Sequence, residues 1–159
     1  MLSAMRQPVP LRAHMLLCLI GFRGSGYSPE FVGVMRNLQQ ALLDDPSVPL
    51  ELVNRPDDLC RVGPHLGDTG GCTLQGPLHE AHMRAHDGVV LHRLGLRAGD
   101  VITWADLVQR IRERIRGSDL PQICTTCPWL PLGVCRESID GLREPSPPLW
   151  QPSDEPGGA

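Results

Sequence analysis

The sequence contains no lysine: all 15 basic residues are arginine. Every chemistry that needs a lysine is therefore excluded, from the phosphate-binding lysine of a Walker loop to a Schiff base. Aromatic residues make up only 4%, so a core must be built from Leu, Val, Ile and Ala. There is no excess of positive charge either. The net charge is -3, which argues against a general nucleic-acid binder. Long apolar runs are missing too. The best is Met15–Phe22, eight residues against the roughly 20 that span a bilayer. A secretory signal is not expected there, because Arg23-Gly24-Ser25-Gly26-Tyr27 follows without a small-x-small cleavage site.

What is abundant is Cys, His, Gly and Pro. Six Cys and six His stand among 159 residues, with 17 Gly and 16 Pro. In a chain read as cytoplasmic, cysteines are ligands or reduced thiols more often than disulfides.

Helical signals are local and clear. Residues 11–21 read as a short apolar helix ending at Gly21. Ser28 is an N-cap before Pro29, and Phe31, Val34, Met35, Leu38 and Leu42 form one stripe over 29–44. A third helix is expected over 79–94. Thr103 with Asp106 opens a fourth, striped by Trp104, Leu107, Val108, Ile111 and Ile115. Residues 48–53 and Val101-Ile102 read as a short strand pair, with Pro49 suggesting an edge. Residues 54–78 and 118–143 are Gly- and Pro-rich loops that hold five of the six Cys. Loops of that length in a compact domain are functional, disordered or clamped. The expected architecture is α+β and mainly helical, with about four helices, a short strand pair and two Cys-rich loops packed around a metal centre. The expected organisation is a flexible leader over 1–10, one domain over 11–143, and a disordered tail over 144–159, where five Pro fall in 16 residues.

The most specific chemical signal is Cys124-Thr125-Thr126-Cys127-Pro128 followed by Cys135. Two thiolates on one tight turn, with a third folding back, can share a metal ion or cluster. The first loop echoes it. Cys60, Gly63-Pro64-His65-Leu66 and Cys72 overlay Cys124, Cys127-Pro128-Trp129-Leu130 and Cys135. Three thiolates from the second loop and Cys60 or Cys72 as the fourth make the four-cysteine set of iron–sulfur clusters and of structural zinc. A thioredoxin-like use of Cys124 and Cys127 is the weaker alternative, since Pro128, Pro131 and Gly133 oppose a helix after the CxxC.

Other patterns carry less. His79, His82 and His86 share a helical face, but His79-Glu80-Ala81-His82 is one residue short of HExxH. These histidines read as a partly exposed polar face. His14 and Cys18 are four apart and could pair as ligands, though a core helix accounts for Cys18. Arg110, Arg112, Arg114 and Arg116 read as a solvated face rather than a nucleic-acid site. Gly21…Gly26 lacks the Gly-Lys-Ser/Thr of a phosphate loop.

The run Leu11–Cys18, then Gly21-Phe22-Arg23-Gly24…Gly26-Tyr27-Ser28-Pro29-Glu30-Phe31, resembles the family called domain of unknown function 1284. So do Pro56-Asp57-Asp58-Leu59-Cys60 and Cys124…Cys127-Pro128-Trp129…Cys135. The resemblance implies a short bacterial or archaeal intracellular protein that binds an iron–sulfur cluster, without an established activity. It also implies that the cysteine loops carry the function. Met15 stands where related sequences often have a second His, and Gly63 where some have Cys. The expected ligands are Cys60, Cys72, Cys124, Cys127 and Cys135. The expected cofactor is an iron–sulfur cluster, alternatively zinc, and no catalytic residue is assigned. The expected partner is another protein, a redox partner for a cluster, with no nucleic acid and no membrane.

Overall fold

The computed structural model describes residues 7–24, 28–62, 66–67, 70–72, 79–124 and 133–142. Three strands form one sheet in the order β1 (Val9–Arg12), β2 (Pro49–Val53), β3 (Val101–Thr103). β1 runs parallel to β2, with Leu11 opposite Leu52, and β3 runs antiparallel to it, with Ile102 opposite Leu50. Helices α1 (Met15–Gly21) and α2 (Pro29–Asp44) make the crossover that a parallel pair requires. β2 is thus the middle strand, not an edge. Pro49 is tolerated because it is the first residue of the strand, where a ladder donor can be spared.

The α+β class and the strong helices are as expected. α2 starts and ends where Ser28 and Asp45 place it, with Ser28 Oγ accepting from Phe31 N–H at 3.1 Å. α4 (His79–Leu94) and α5 (Trp104–Arg114) also match, and Thr103 Oγ1 accepts from Asp106 N–H at 3.2 Å. The helix count is corrected: seven α-helices lie among the described residues. α3 (Asp58–Val62), α6 (Leu120–Ile123) and α7 (Val134–Gly141) all fall in segments expected to be loops. They are single or double turns, too short to show a repeated apolar stripe. The helix expected over 11–21 is split. Leu11 and Arg12 extend beside β2, because the parallel ladder accepts them, and the helix begins only after His14.

The apolar core joins Leu16, Leu19 and Ile20 of α1 to Leu50 and Leu52 of β2, Leu94 of α4 and Leu107 and Ile111 of α5, all buried. Gln39 of α2 is buried with them, its Nε2 donating to the Leu19 carbonyl at 2.7 Å. This satisfies an end carbonyl of α1 that would otherwise be an orphan. The arginine stretch has a structural use: Arg110 Nη1 donates to the Leu94 carbonyl at 2.9 Å and caps α4. No helix among the described residues is long and apolar enough to cross a membrane. The tail expected over 144–159 lies outside the described residues.

Candidate functional site

Arg12 is completely buried at the end of β1, where it enters α1. A buried guanidinium requires opposing charge, and α4 supplies it. Arg12 Nε donates to Asp87 Oδ2 at 2.6 Å. Its Nη1 and Nη2 donate to Glu80 Oε1 and Oε2 at 2.8 and 2.5 Å, a two-pronged clasp. Burial alone would lower the Arg12 pKa, but the Glu80 and Asp87 bonds outweigh it and raise it above the ordinary value. For Glu80 burial pushes upward, and the bonds from Arg12, Cys72 and Arg84 nevertheless hold it below the usual carboxylate range. Arg12 and Glu80 are therefore both ionised at neutral pH.

The network reaches the first cysteine loop from two sides. Asp57, 1% exposed, accepts the Arg12 backbone N–H on Oδ2 at 2.7 Å and the Cys60 backbone N–H on Oδ1 at 3.1 Å. Glu80 Oε1 accepts the Cys72 backbone N–H at 3.0 Å as well as Arg12. Gly71 permits that approach, since a Cβ there would stand 2.9 Å from the Glu80 Cβ. Leu66 and Cys72 meet in an antiparallel bridge. Cys60 and Cys72 are thus each two hydrogen bonds from one arginine, through a single carboxylate. Burial and the nearby Asp57 carboxylate push the Cys60 thiol up to about 12, so without a cation it is protonated.

The same carboxylate orients a histidine. Asp87 Oδ1 accepts both the backbone N–H of His14, at 3.0 Å, and its ring Nδ1, at 2.7 Å. The His14 ring stacks on His86 with centroids 4.7 Å apart and planes 8° apart. Of the three histidines expected on a partly exposed face of α4, His82 is exposed, His86 half-buried and His79 buried at 5% exposure, and Asp87 beside them is fully buried. Nothing among the described residues partners Nε2 of His79 or of His86, and both atoms are buried. Burial, with His14 close by, lowers the pKa of His86 to about 4. Burial, then His82 and His14, lowers that of His79.

The second loop arrives elsewhere along α1. Cys135, in the first turn of α7, packs against Gly21; a Cβ on Gly21 would stand 2.6 Å from its Sγ. Gly21 ends α1 whereas Arg12 precedes it, and seven helical residues span about 10 Å. Cys124 is buried directly after α6, its N–H bonded to the Leu120 carbonyl at 2.6 Å. Cys127, with its neighbours 125–132, lies outside the described residues. So do Gly63-Pro64-His65 of the echo. The echo does not extend to conformation: Cys72 sits in a β-bridge and Cys135 in a helix. Among the described residues no three Cys, His, Asp or Glu donors are gathered closely enough to hold a metal ion. The domain centre expected to be metal is, in the described part, an apolar core with one buried ion network.

A model of the family described as a protein of unknown function, DUF1284, matches residues 26–133. The chain belongs to this family. The matched range of this DUF1284 member holds Asp57, Cys60, Cys72, Glu80, Asp87, Cys124 and Cys127. Arg12, His14 and Cys135 fall outside it, although they are bonded to or packed with the matched part. Comparison with curated proteins and with solved structures gives no match.

Arg12, Asp57, Glu80 and Asp87 were not among the residues expected from the sequence to build the site. A signal was present: Arg12 is a lone charge at the head of an apolar stretch, and Glu80 and Asp87 are seven apart on one helical face. A charge that must be buried calls for partners spaced in this way.

Proposed function

We propose that this DUF1284 protein binds a metal centre, in the first instance an iron–sulfur cluster, serving electron transfer or redox sensing. The candidate ligands are Cys60 and Cys72 of the first loop and Cys124, Cys127 and Cys135 of the second. One observation carries the reading: the carboxylates that hold Arg12 also hold the backbones of Cys60 and Cys72. Metal ligands are commonly oriented by such an outer layer of hydrogen bonds. A buried ion network of this kind adds little stability over an apolar core, so its use lies in fixing positions.

Soft thiols suit iron and zinc alike. Cys127 of the proposed set lies outside the described residues. A bound cluster would supply one-electron chemistry; the chain's own residues hold, shield and neutralise it. Arg12 offsets thiolate charge, Asp57 and Glu80 fix the loop, and burial keeps Cys60 protonated until a cation displaces the proton. A thiol-redox use of Cys124 and Cys127 is the weaker reading, and Cys60, whose pKa is raised, does not add an active thiol to it. Cys124 also follows a helix, whereas such chemistry places its cysteine before one.

Zinc is the second reading. The observation in its favour is that imidazoles border the same network, and mixed Cys and His sets are typical of zinc. Absorption of protein purified without oxygen, with iron, acid-labile sulfide and zinc assayed on the same sample, separates the two. Matching iron and sulfide supports the cluster, and one colourless zinc per chain supports a structural module. Cys127→Ser retaining full occupancy refutes the ligand set, and neither metal in the purified protein refutes the metal reading.

A further inference from the structure

Charge is unevenly spread along the chain. Of its 15 arginines and 18 acids, residues 93–116 hold six arginines and three acids, which leaves nine arginines and 15 acids for the rest. A basic segment is thus carried on an acidic body. The fold gathers four of the six arginines at the C-terminal end of α4. Arg93 lies in its last turn, and Arg97 opens the turn that leads to β3. Arg110 and Arg114 arrive from α5: a Cβ on Gly95, directly after α4, would stand 3.7 and 3.0 Å from their Nη1 atoms. Two guanidinium groups therefore meet at one point.

Little there neutralises them. Arg110 Nη1 bonds the Leu94 carbonyl, but the end of a helix offers only about half a negative charge. The three acids of the segment are engaged elsewhere. Asp100 Oδ2 accepts the Arg97 backbone N–H at 2.8 Å, Glu113 Oε1 accepts from Gln109 Nε2 at 2.7 Å, and Asp106 lies in the first turn of α5, at its opposite end. Arg93 pairs with Asp119 at 3.3 Å. Arg97, Arg110 and Arg114 have no ion pair among the described residues, and Arg97 and Arg114 are exposed.

A second observation concerns apolar side chains. Among the described residues the large hydrophobics that stand exposed are Val89 and Val101, and both border this group. Val89 is one turn before Arg93 on the same face of α4, and Val101 follows the turn from Arg97 to Asp100. Arginines beside exposed apolar groups have the composition of a protein interface. A nucleic acid fits less well. The described aromatics Phe22, Phe31 and Trp104 are buried and offer no base a stacking surface, and a long polyanion would run onto the acidic body.

We infer that Arg93, Arg97, Arg110 and Arg114, with Val89 and Val101 beside them, form a docking surface for an acidic segment of another protein, one that carries apolar side chains among its carboxylates. The exposed guanidinium forks take the carboxylates in pairs of hydrogen bonds. The inference is independent of the metal reading.

The test uses the full chain and a fluorescent peptide of glutamate with interspersed leucine, read by anisotropy. The expected result is binding at low salt that weakens as salt rises, because exposed charges are screened. Arg97→Glu with Arg114→Glu weakens it by about tenfold or more. Arg36→Glu with Arg55→Glu, exposed positions outside the group that change net charge equally, leaves it near the parent. Val89→Ser with Val101→Ser weakens it without changing the salt dependence. Far-ultraviolet circular dichroism checks that these surface variants stay folded. No binding at low salt overturns the inference, and so does an equal loss in the Arg36 and Arg55 pair, which would make the effect one of net charge. Tighter binding of single-stranded RNA or of phosphatidylserine vesicles than of the peptide overturns the assignment to a protein partner.

Discussion

Replacing Arg12 by Met should be among the most damaging single changes in the chain. Met keeps much of the buried stem but removes three side-chain bonds and, with them, the guanidinium that faces Asp87 and Glu80. Asp87 is fully buried, and Glu80 is 16% exposed, so neither can recover full hydration. Removing one member of a buried ion pair costs about 3–5 kcal/mol, because the remaining charge is stranded. Against a total stability of about 5–15 kcal/mol, that is a large fraction. For a chain of this length it corresponds to a fall in Tm of roughly 10–15 °C. Arg12→Lys should fall between the two, since a single ammonium cannot span the fork to Glu80 and reach Asp87 together. Adding Glu80→Gln and Asp87→Asn to Arg12→Met should restore part of the loss, because no stranded carboxylate remains. Urea unfolding of the metal-free full chain, followed by far-ultraviolet circular dichroism, reads all of these. A loss under about 1 kcal/mol for Arg12→Met, or Arg12→Lys matching the parent, refutes the argument that the network is dry and tightly coupled.

Three other outcomes are expected. Gly21→Ala should destabilise by about 1–3 kcal/mol, since its Cβ would meet the Cys135 backbone Cα at 2.8 Å, while Gly88→Ala, with open space inside α4, should stabilise by roughly 0.5–1 kcal/mol; equal signs for the two would refute the packing of α1 on α7. The lowered pKa of His79 means that the unfolded chain binds the extra proton first. Stability is therefore complete above about pH 6.5 and lost as pH falls below it, and His79→Gln should flatten that slope in denaturation curves. In metal-free folded protein Cys60 should be alkylated about a thousandfold more slowly at pH 8 than in urea, because its pKa is pushed up to about 12; peptide mapping showing equal labelling would refute its burial.

The parts of this protein set by short-range chemistry were legible without coordinates. Ser28 and Thr103 cap α2 and α5, Asp45 ends α2, and the stripe from Trp104 to Ile115 turns inward, because caps and apolar repeats act within a few residues. α4 was placed correctly, yet its inner face was misjudged. Its buried positions include His79 and Asp87, so no apolar repeat marks the side that faces the core. Membership in DUF1284 was legible from separated motifs, and the family match over 26–133 bears it out. The short helices α3, α6 and α7 were not, because one or two turns leave no period to read.

The sequence by itself determined where the strong helices lie, which residues carry thiols and imidazoles, and that no lysine chemistry is available. Only the tertiary structure decided that Arg12 is the joint of the candidate site. Its partners Asp57, Glu80 and Asp87 are 45, 68 and 75 residues away in the chain. The reason is physical: parallel pairing of β1 with β2 draws the guanidinium out of water. Its burial is tolerated only because α4 brings two carboxylates to it.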